Sequence, residues 1–159
     1  IKPENIVVGE GIDGLLGYLV RMLVEPNDDV VTTDGSYPTF NYHVNGYAGL
    51  LKKIPFKEDF EDLASLSSFS KKLRPKIVYV SNPNNPMGTF NNKTEIQTFI
   101  NEVPDDTIIC LDEAYADFVP DDDLIDINVN QENLIRMRTF SKAYGLAGAR
   151  IDMELGMKI

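Results

Sequence analysis

Two stretches of this chain place residues that could do covalent chemistry. In Thr139 to Arg150, TFSKAYGLAGAR, a single lysine, Lys142, follows two hydroxyls, Thr139 and Ser141, and precedes small residues and Arg150. A lysine amine is a nucleophile toward carbonyl carbon. Hydroxyls, a guanidinium and a helix start are the groups that bind phosphate, so the stretch could hold a phosphorylated carbonyl compound within reach of its nucleophile. An exposed helical lysine behind a capping serine would be spelled the same way. The second stretch is Leu111-Asp112-Glu113-Ala114-Tyr115, which follows the apolar run Thr107 to Cys110. An aspartate at the end of a buried strand must be paired or hydrogen-bonded to remain ionised, and a cationic heteroaromatic nitrogen is one suitable partner. Tyr115 could reach the same ligand if the chain turns helical there. A magnesium site on Asp112 and Glu113 is the competing reading. No phosphate loop ending in GKS or GKT accompanies it, so no metal is expected.

Two further stretches could support such a site. Ser81 to Thr89, SNPNNPMGT, sets two prolines and three asparagines directly after a strand, where fixed backbone would hold amide donors toward a ligand oxygen. Gly9 to Gly14, GEGIDG, fits G-x-G-x-x-G between a strand and a helix, and Asp34 ends the next strand about 20 residues on, where a dinucleotide-binding protein holds its ribose. Backbone amides at that helix start can equally receive a single phosphate.

The elements that must position these residues alternate. A short buried strand is expected over Asn5 to Val8 and a helix from the glycine-rich turn to about Val24, with Leu15, Leu16, Leu19, Val20 and Leu23 on one face. Strands follow over Asp29 to Asp34, Leu50 to Phe56, Lys76 to Ser81, Thr107 to Asp112 and Leu134 to Phe140. Helices are expected from Pro38 to about Asn45, from a cap at Asp59 to Leu73, and over Lys93 to Val103. Pro120 to Asp126 is expected to be a solvated acidic loop. Strands alternating with helices give an α/β fold, a mostly parallel central sheet with helices on both faces, and ligands in such sheets sit at the carboxyl ends of the strands.

At 159 residues the chain is expected to form about one domain. Its formal charge of -10 argues against a nucleic-acid partner or an anionic membrane surface, though not against a local anion pocket. The longest apolar run, Leu15 to Val24, is broken by Arg21 and too short to span a bilayer, and no signal peptide is expected from the charge and proline of the first residues. The single cysteine, Cys110, lies in an apolar run, which excludes a disulfide framework and points to a buried strand residue in a reducing, cytoplasmic setting. The chain opens on Ile1 and is read as part of a longer protein.

Taken in order, GEGIDGLL, YPTF, SNPNNPMGT, DEAYADF and TFSKAYGLAGAR resemble the motifs of fold type I pyridoxal-phosphate aminotransferases, and most closely the histidinol-phosphate aminotransferase branch. The dinucleotide reading explains only the first of the five. The resemblance implies a cofactor, pyridoxal 5'-phosphate, whose aldehyde Lys142 would hold covalently. Asp112 would pair with the pyridine nitrogen, and Asn85 and Tyr115 would hydrogen-bond the phenolic oxygen. Phe40 would stack on the ring. Thr139, Ser141 and Arg150 would bind the phosphate with backbone amides around Gly11, Ile12 and Asp13. It further implies transamination between an amino donor, L-histidinol phosphate in that branch, and a 2-oxo acid, 2-oxoglutarate. The products would be imidazole acetol phosphate and glutamate, in histidine biosynthesis, made by a cytoplasmic homodimer.

Residues 1–159 would then be the cofactor-binding large domain in part. The family's amino-terminal segment and its carboxyl-terminal small domain, with the substrate-gripping arginine, do not appear in these residues. Gly14 and Ile12 stand where the family has an acidic and a small residue. Asp152 follows Arg150 closely where the family continues with glycine. A related decarboxylase or lyase sharing the domain, a truncated non-catalytic remnant acting as a binding module, and a nicotinamide oxidoreductase remain as alternatives. His43, the only histidine, is assigned no role.

Overall fold

Residues 1–126, 128 and 130–156 are described by the computed structural model; residues 157–159, included in the expected domain, lie outside them. The apolar stripe read in the first helix is what docks it. Helix α1 (Gly11–Leu23) buries Ile12, Leu15, Leu16, Leu19 and Val20. The strands are β1 (Ile6–Gly9), β2 (Asp29–Asp34), β3 (Leu50–Pro55), β4 (Ile77–Ser81), β5 (Ile108–Asp112), β6 (Leu134–Thr139) and β7 (Asp152–Leu155); the other helices are α2 (Thr39–Gly46), α3 (Leu63–Leu73) and α4 (Lys93–Glu102). The seven strands form one sheet in the order β1-β7-β6-β5-β4-β2-β3. Neighbours from β6 through β3 are parallel, whereas β7 runs antiparallel to both β1 and β6.

Side chains alternate across the sheet and build two cores. Tyr79, Cys110 and Met137 face α1 and α2, packing with Leu15, Leu19, Phe40 and Val44. Val78, Val80, Ile109 and Leu111 face α3 and α4, packing with Leu66, Ile96 and Phe99. The expected mostly parallel sheet with helices on both faces is therefore observed, and Cys110 is a buried, free thiol.

That alternation, with the register, also fixes where the site must be. Ser81 pairs with Asp112, and Asp112 with Met137, so β4, β5 and β6 end together. Ser81, Asp112 and Thr139 share the parity of Tyr79, Cys110 and Met137 and so belong to the α1/α2 face. Strand β7 comes back from the same end, its first residue Asp152 lying between Thr139 of β6 and Gly9 of β1.

Several local readings need correction. Strand β1 is not buried: as the outermost strand it has one neighbour, and Val7 and Val8 are exposed. The helix α3 starts at Leu63 because Asp62, not Asp59, caps it, its carboxylate accepting from the Ser65 amide at 3.0 Å. Strand β7 was not anticipated, since a four-residue run with two acids has weak strand propensity and exists through pairing on both sides. The acidic loop is only partly solvated. Ile125 is buried, and the carbonyls of Ile125 and Asp126 accept from Arg136 at 3.3 and 3.0 Å.

Arg136 itself is buried and binds Glu113 through two hydrogen bonds of 2.7 Å each. This pair ties the acidic loop to the α3/α4 side of the sheet beside Asp112. Replacing the arginine leaves the glutamate buried, among the described residues, against only the more distant Arg138, at 3.7 Å. Arg136→Met is expected to lower stability by about 3 kcal/mol in urea unfolding. An unchanged midpoint would show that Arg138 suffices as the counter-charge.

Candidate active site

A cavity of about 310 Å³ opens at the shared carboxyl end of β4, β5 and β6. Of the residues singled out in the sequence, Ile12, Asp13, Asn85, Asp112, Tyr115, Thr139, Ser141, Lys142 and Arg150 line it. A larger cavity of about 540 Å³ beside α3 and α4 gathers none of them, so size does not mark the site.

At one side of the cavity stands Asp112. It is only 8% exposed, and its carboxylate accepts from the Tyr79 hydroxyl at 2.6 Å and from the Ala114 amide at 3.0 Å. Burial holds its pKa above the ordinary value; the two hydrogen bonds and the positive Lys142 pull the other way, and Glu113 adds to the rise. Burial, with the charge of Asp112, also pushes the Tyr79 hydroxyl well up, so it stays protonated and donates. A cationic nitrogen brought against Asp112 would favour its charged form by direct attraction.

Lys142 leaves the turn after β6 with its amine 5.4 Å from the centroid of the Tyr115 ring, a cation–π contact. The Tyr115 hydroxyl accepts from Asn85 Nδ2 at 3.4 Å, bringing together two residues far apart in sequence. Asn85 is held by its turn. The Tyr37 amide donates to its carbonyl at 2.9 Å. The neighbouring Asn84 amide donates to the buried Glu61 at 2.7 Å, and Ser36 does so at 3.1 Å. Nothing in the sequence marked Glu61 or Ser36, because their partners lie in other segments, and Tyr37 stood in the YPTF motif without an assigned role.

Donors converge on one point at the opposite end. The Ile12 amide, in the first turn of α1, donates to Asp152 Oδ2 at 2.7 Å. The Phe140 amide at 3.1 Å and the Ser141 hydroxyl at 3.4 Å donate to Oδ1, as does the Thr139 hydroxyl. Arg150 lies at the mouth, its guanidinium donating to the Glu10 and Ala147 carbonyls at 3.3 Å each. It passes so close to Gly11 that a Cβ there would fall 1.8 Å from Nη2. Gly11 thus supplies close approach and a positive φ rather than cavity lining.

Phe40, expected to stack on a ring, does not line the cavity. It is buried in the core and stacks on Tyr79 with centroids 4.5 Å apart, because α2 turns Thr39 toward the cavity and Phe40 inward. Tyr37, Thr39, Ser81, Ala114, Ala147 and Asp152 complete the lining. His43 meets Asp13 at 3.0 Å outside it.

A nucleophilic amine and a buried acid at one cavity, with anion donors behind them, define an α/β protein suited to a phosphorylated carbonyl compound with a basic nitrogen. That the donors suit an anion is visible directly, since they close on a carboxylate. Over residues 1–156 the sequence matches the family described as aminotransferase class I and II, and the chain belongs to that family. It is 36% identical over 157 residues to histidinol-phosphate aminotransferase 2 of Carboxydothermus hydrogenoformans, covering 95% of this chain and 42% of the relative. It is also 36% identical to histidinol-phosphate aminotransferase of Macrococcus caseolyticus, covering 99% of this chain and 46% of the relative. Among solved structures, histidinol-phosphate aminotransferase from Sinorhizobium meliloti in complex with pyridoxal-5'-phosphate superimposes with a TM-score of 0.96 at 47% identity, covering 99% of this chain and 43% of that one. The chain thus spans less than half the length of the relatives it matches. L-threonine-O-3-phosphate decarboxylase from Porphyromonas gingivalis, at 23% identity and a TM-score of 0.79, shares the fold alone.

The raised pKa of Asp112 has a measurable consequence. The folded chain binds this proton more tightly than the unfolded one, so the resulting stability is complete below the ordinary value of 3.8 and is lost as pH rises through the raised value. As pH rises above about 4, Asp112→Asn is expected to lose less thermal stability than the parent. Parallel unfolding curves would show that the carboxyl ionises without cost.

Proposed function

We propose that this chain is the cofactor-binding part of a pyridoxal-phosphate-dependent aminotransferase of the histidinol-phosphate type. The observation that carries the proposal is the meeting of Lys142 and Asp112 at one cavity whose far end is an anion cradle. When bound, pyridoxal phosphate supplies an aldehyde for the lysine and a ring that, protonated at nitrogen, accepts electrons. Asp112 would face that nitrogen and hold its proton. Asn85 and Tyr115, already hydrogen-bonded to each other, would orient the ring through its phenolic oxygen. Tyr37, exposed at the cavity wall, takes the place first given to Phe40 as the aromatic able to cover a ring face. Thr139, Ser141, Arg150 and the amides at the start of α1 would hold the phosphate once it has displaced the Asp152 carboxylate that these hydroxyls and the Ile12 amide meet.

The amine of Lys142, once free, would take the proton from the α-carbon of the amino donor and return it on the other side of the exchange. The cation–π contact with Tyr115 keeps that amine at the cavity instead of in bulk solvent. The names of the relatives support histidinol phosphate as amino donor; a 2-oxo acid as acceptor and a place in histidine biosynthesis are part of the same proposal. No helix among the described residues is long and apolar enough to cross a membrane, and the buried free thiol suits the reducing cytoplasm. A homodimer is part of the proposal, supported by the exposed edge strand β1, whose Val7 and Val8 need a cover.

Lys142→Ala is expected to abolish borohydride-stable capture of pyridoxal phosphate, read as a mass increase on the Lys142 peptide of the parent, together with transamination. Capture at another residue, or turnover without Lys142, would sink the assignment. Asp112→Ala should retain much of the cofactor and lose about 100-fold or more in turnover; equal loss of both would reduce Asp112 to a structural role.

A further inference from the structure

The anion in the cradle belongs to the chain itself. Asp152 is 2% exposed, and its two carboxylate oxygens take the Ile12 and Phe140 amides and the Thr139 and Ser141 hydroxyls. These are the donors that a phosphate at this end of the cavity would need. Arg150, the one guanidinium lining the cavity, gives its hydrogen bonds to the Glu10 and Ala147 carbonyls and makes no ion pair with Asp152 among the described residues. Asp152 cannot be elsewhere without rearranging the sheet. It opens β7 directly across from Thr139 on one side and Gly9 on the other, with the parity that faces α1.

We propose that Asp152 is an intrachain competitor for the phosphate of the ligand, so that this site discriminates against phosphorylated aldehydes relative to the same aldehyde without phosphate. The inference rests on the reading of Lys142 given above. A phosphate entering the cradle meets a carboxylate of its own sign and finds its donors occupied. An unphosphorylated aldehyde reaches Lys142 and Asp112 without contesting either.

The test compares pyridoxal phosphate with pyridoxal on the parent, Asp152→Asn and Asp152→Gly, reading dissociation constants from absorbance and borohydride-stable mass at Lys142. The parent is expected to bind the two aldehydes with similar affinity. Asp152→Gly frees every donor, and Asp152→Asn removes the charge while keeping one acceptor oxygen. Both should raise affinity for pyridoxal phosphate by about tenfold or more, leaving pyridoxal within about twofold, as expected when a like charge close to the phosphate is removed. A parent that already prefers the phosphorylated aldehyde strongly overturns the proposal without recourse to the variants. Unchanged ratios in both variants overturn it too. Loss of the folded circular-dichroism signal in both would make Asp152 a structural clamp, and would likewise overturn it. If pyridoxal itself is not captured at Lys142 in the parent, the functional reading fails first and this inference falls with it.

Discussion

A carboxylate at the end of a buried strand has to be answered by something polar, and much of this structure is arranged around that demand. Asp112 sits at the end of a central strand, flanked by β4 and β6, with cores on both faces. Among the described residues its donors are the Tyr79 hydroxyl and the Ala114 amide. They leave its pKa raised, which is the mark of a charge incompletely compensated. The neighbouring Glu113 meets a complete answer in Arg136, pointing to the other side of the sheet. Two adjacent acids on one strand end thus have opposite fates. The paired one holds the fold, and the under-compensated one faces a cavity.

The same end of the sheet carries a second electrostatic device. Parallel strands cannot bring a strand start beside their own ends, but β7 runs against its neighbours and does so. It delivers Asp152 into amides and hydroxyls contributed by α1, the end of β6 and the turn that follows. Besides Asp13, the cavity therefore holds two acids of different character, one facing a lysine and a tyrosine, the other filling an anion cradle. The backbone amides of the helix start and of Phe140 are fixed donors, so the identity of their acceptor depends on a single side chain.

Support for the cavity-lining groups comes from a network on the opposite side of the NPNNP turn. Glu61 is buried, its pKa is raised chiefly by burial, and it gathers Thr33, Ser36, Asn84 and the Ser81 amide from two segments. Through Asn84 it holds the turn that carries Asn85, and through Ser81 it touches the strand beside Asp112. Positioning here is achieved by buried polar contacts rather than by apolar packing, which gives direction as well as proximity.

Local order was legible in the sequence wherever one signal dominated. The stripe of α1, the apolar runs of β2, β4 and β5, and the order of the five motifs gave the element sequence, the parallel α/β class and the residues that line the cavity. Boundaries slipped where capping choices lay close together, as between Asp59 and Asp62. Phe40 was misplaced because a motif names a residue without its helical phase, and Tyr37 of the same motif, just ahead of that helix, is the aromatic that lines the cavity.

What the sequence determined by itself was which chemical groups the chain carries and in what order, since periodicity and residue type are local properties. The tertiary structure alone decided which of them meet. The pairing of Glu113 with Arg136, the capture of Asn84 by Glu61, the core position of Phe40 and the entry of Asp152 into the cradle all depend on strand order, register and the reversed direction of β7. Those are set by contacts between distant segments, which no local pattern encodes.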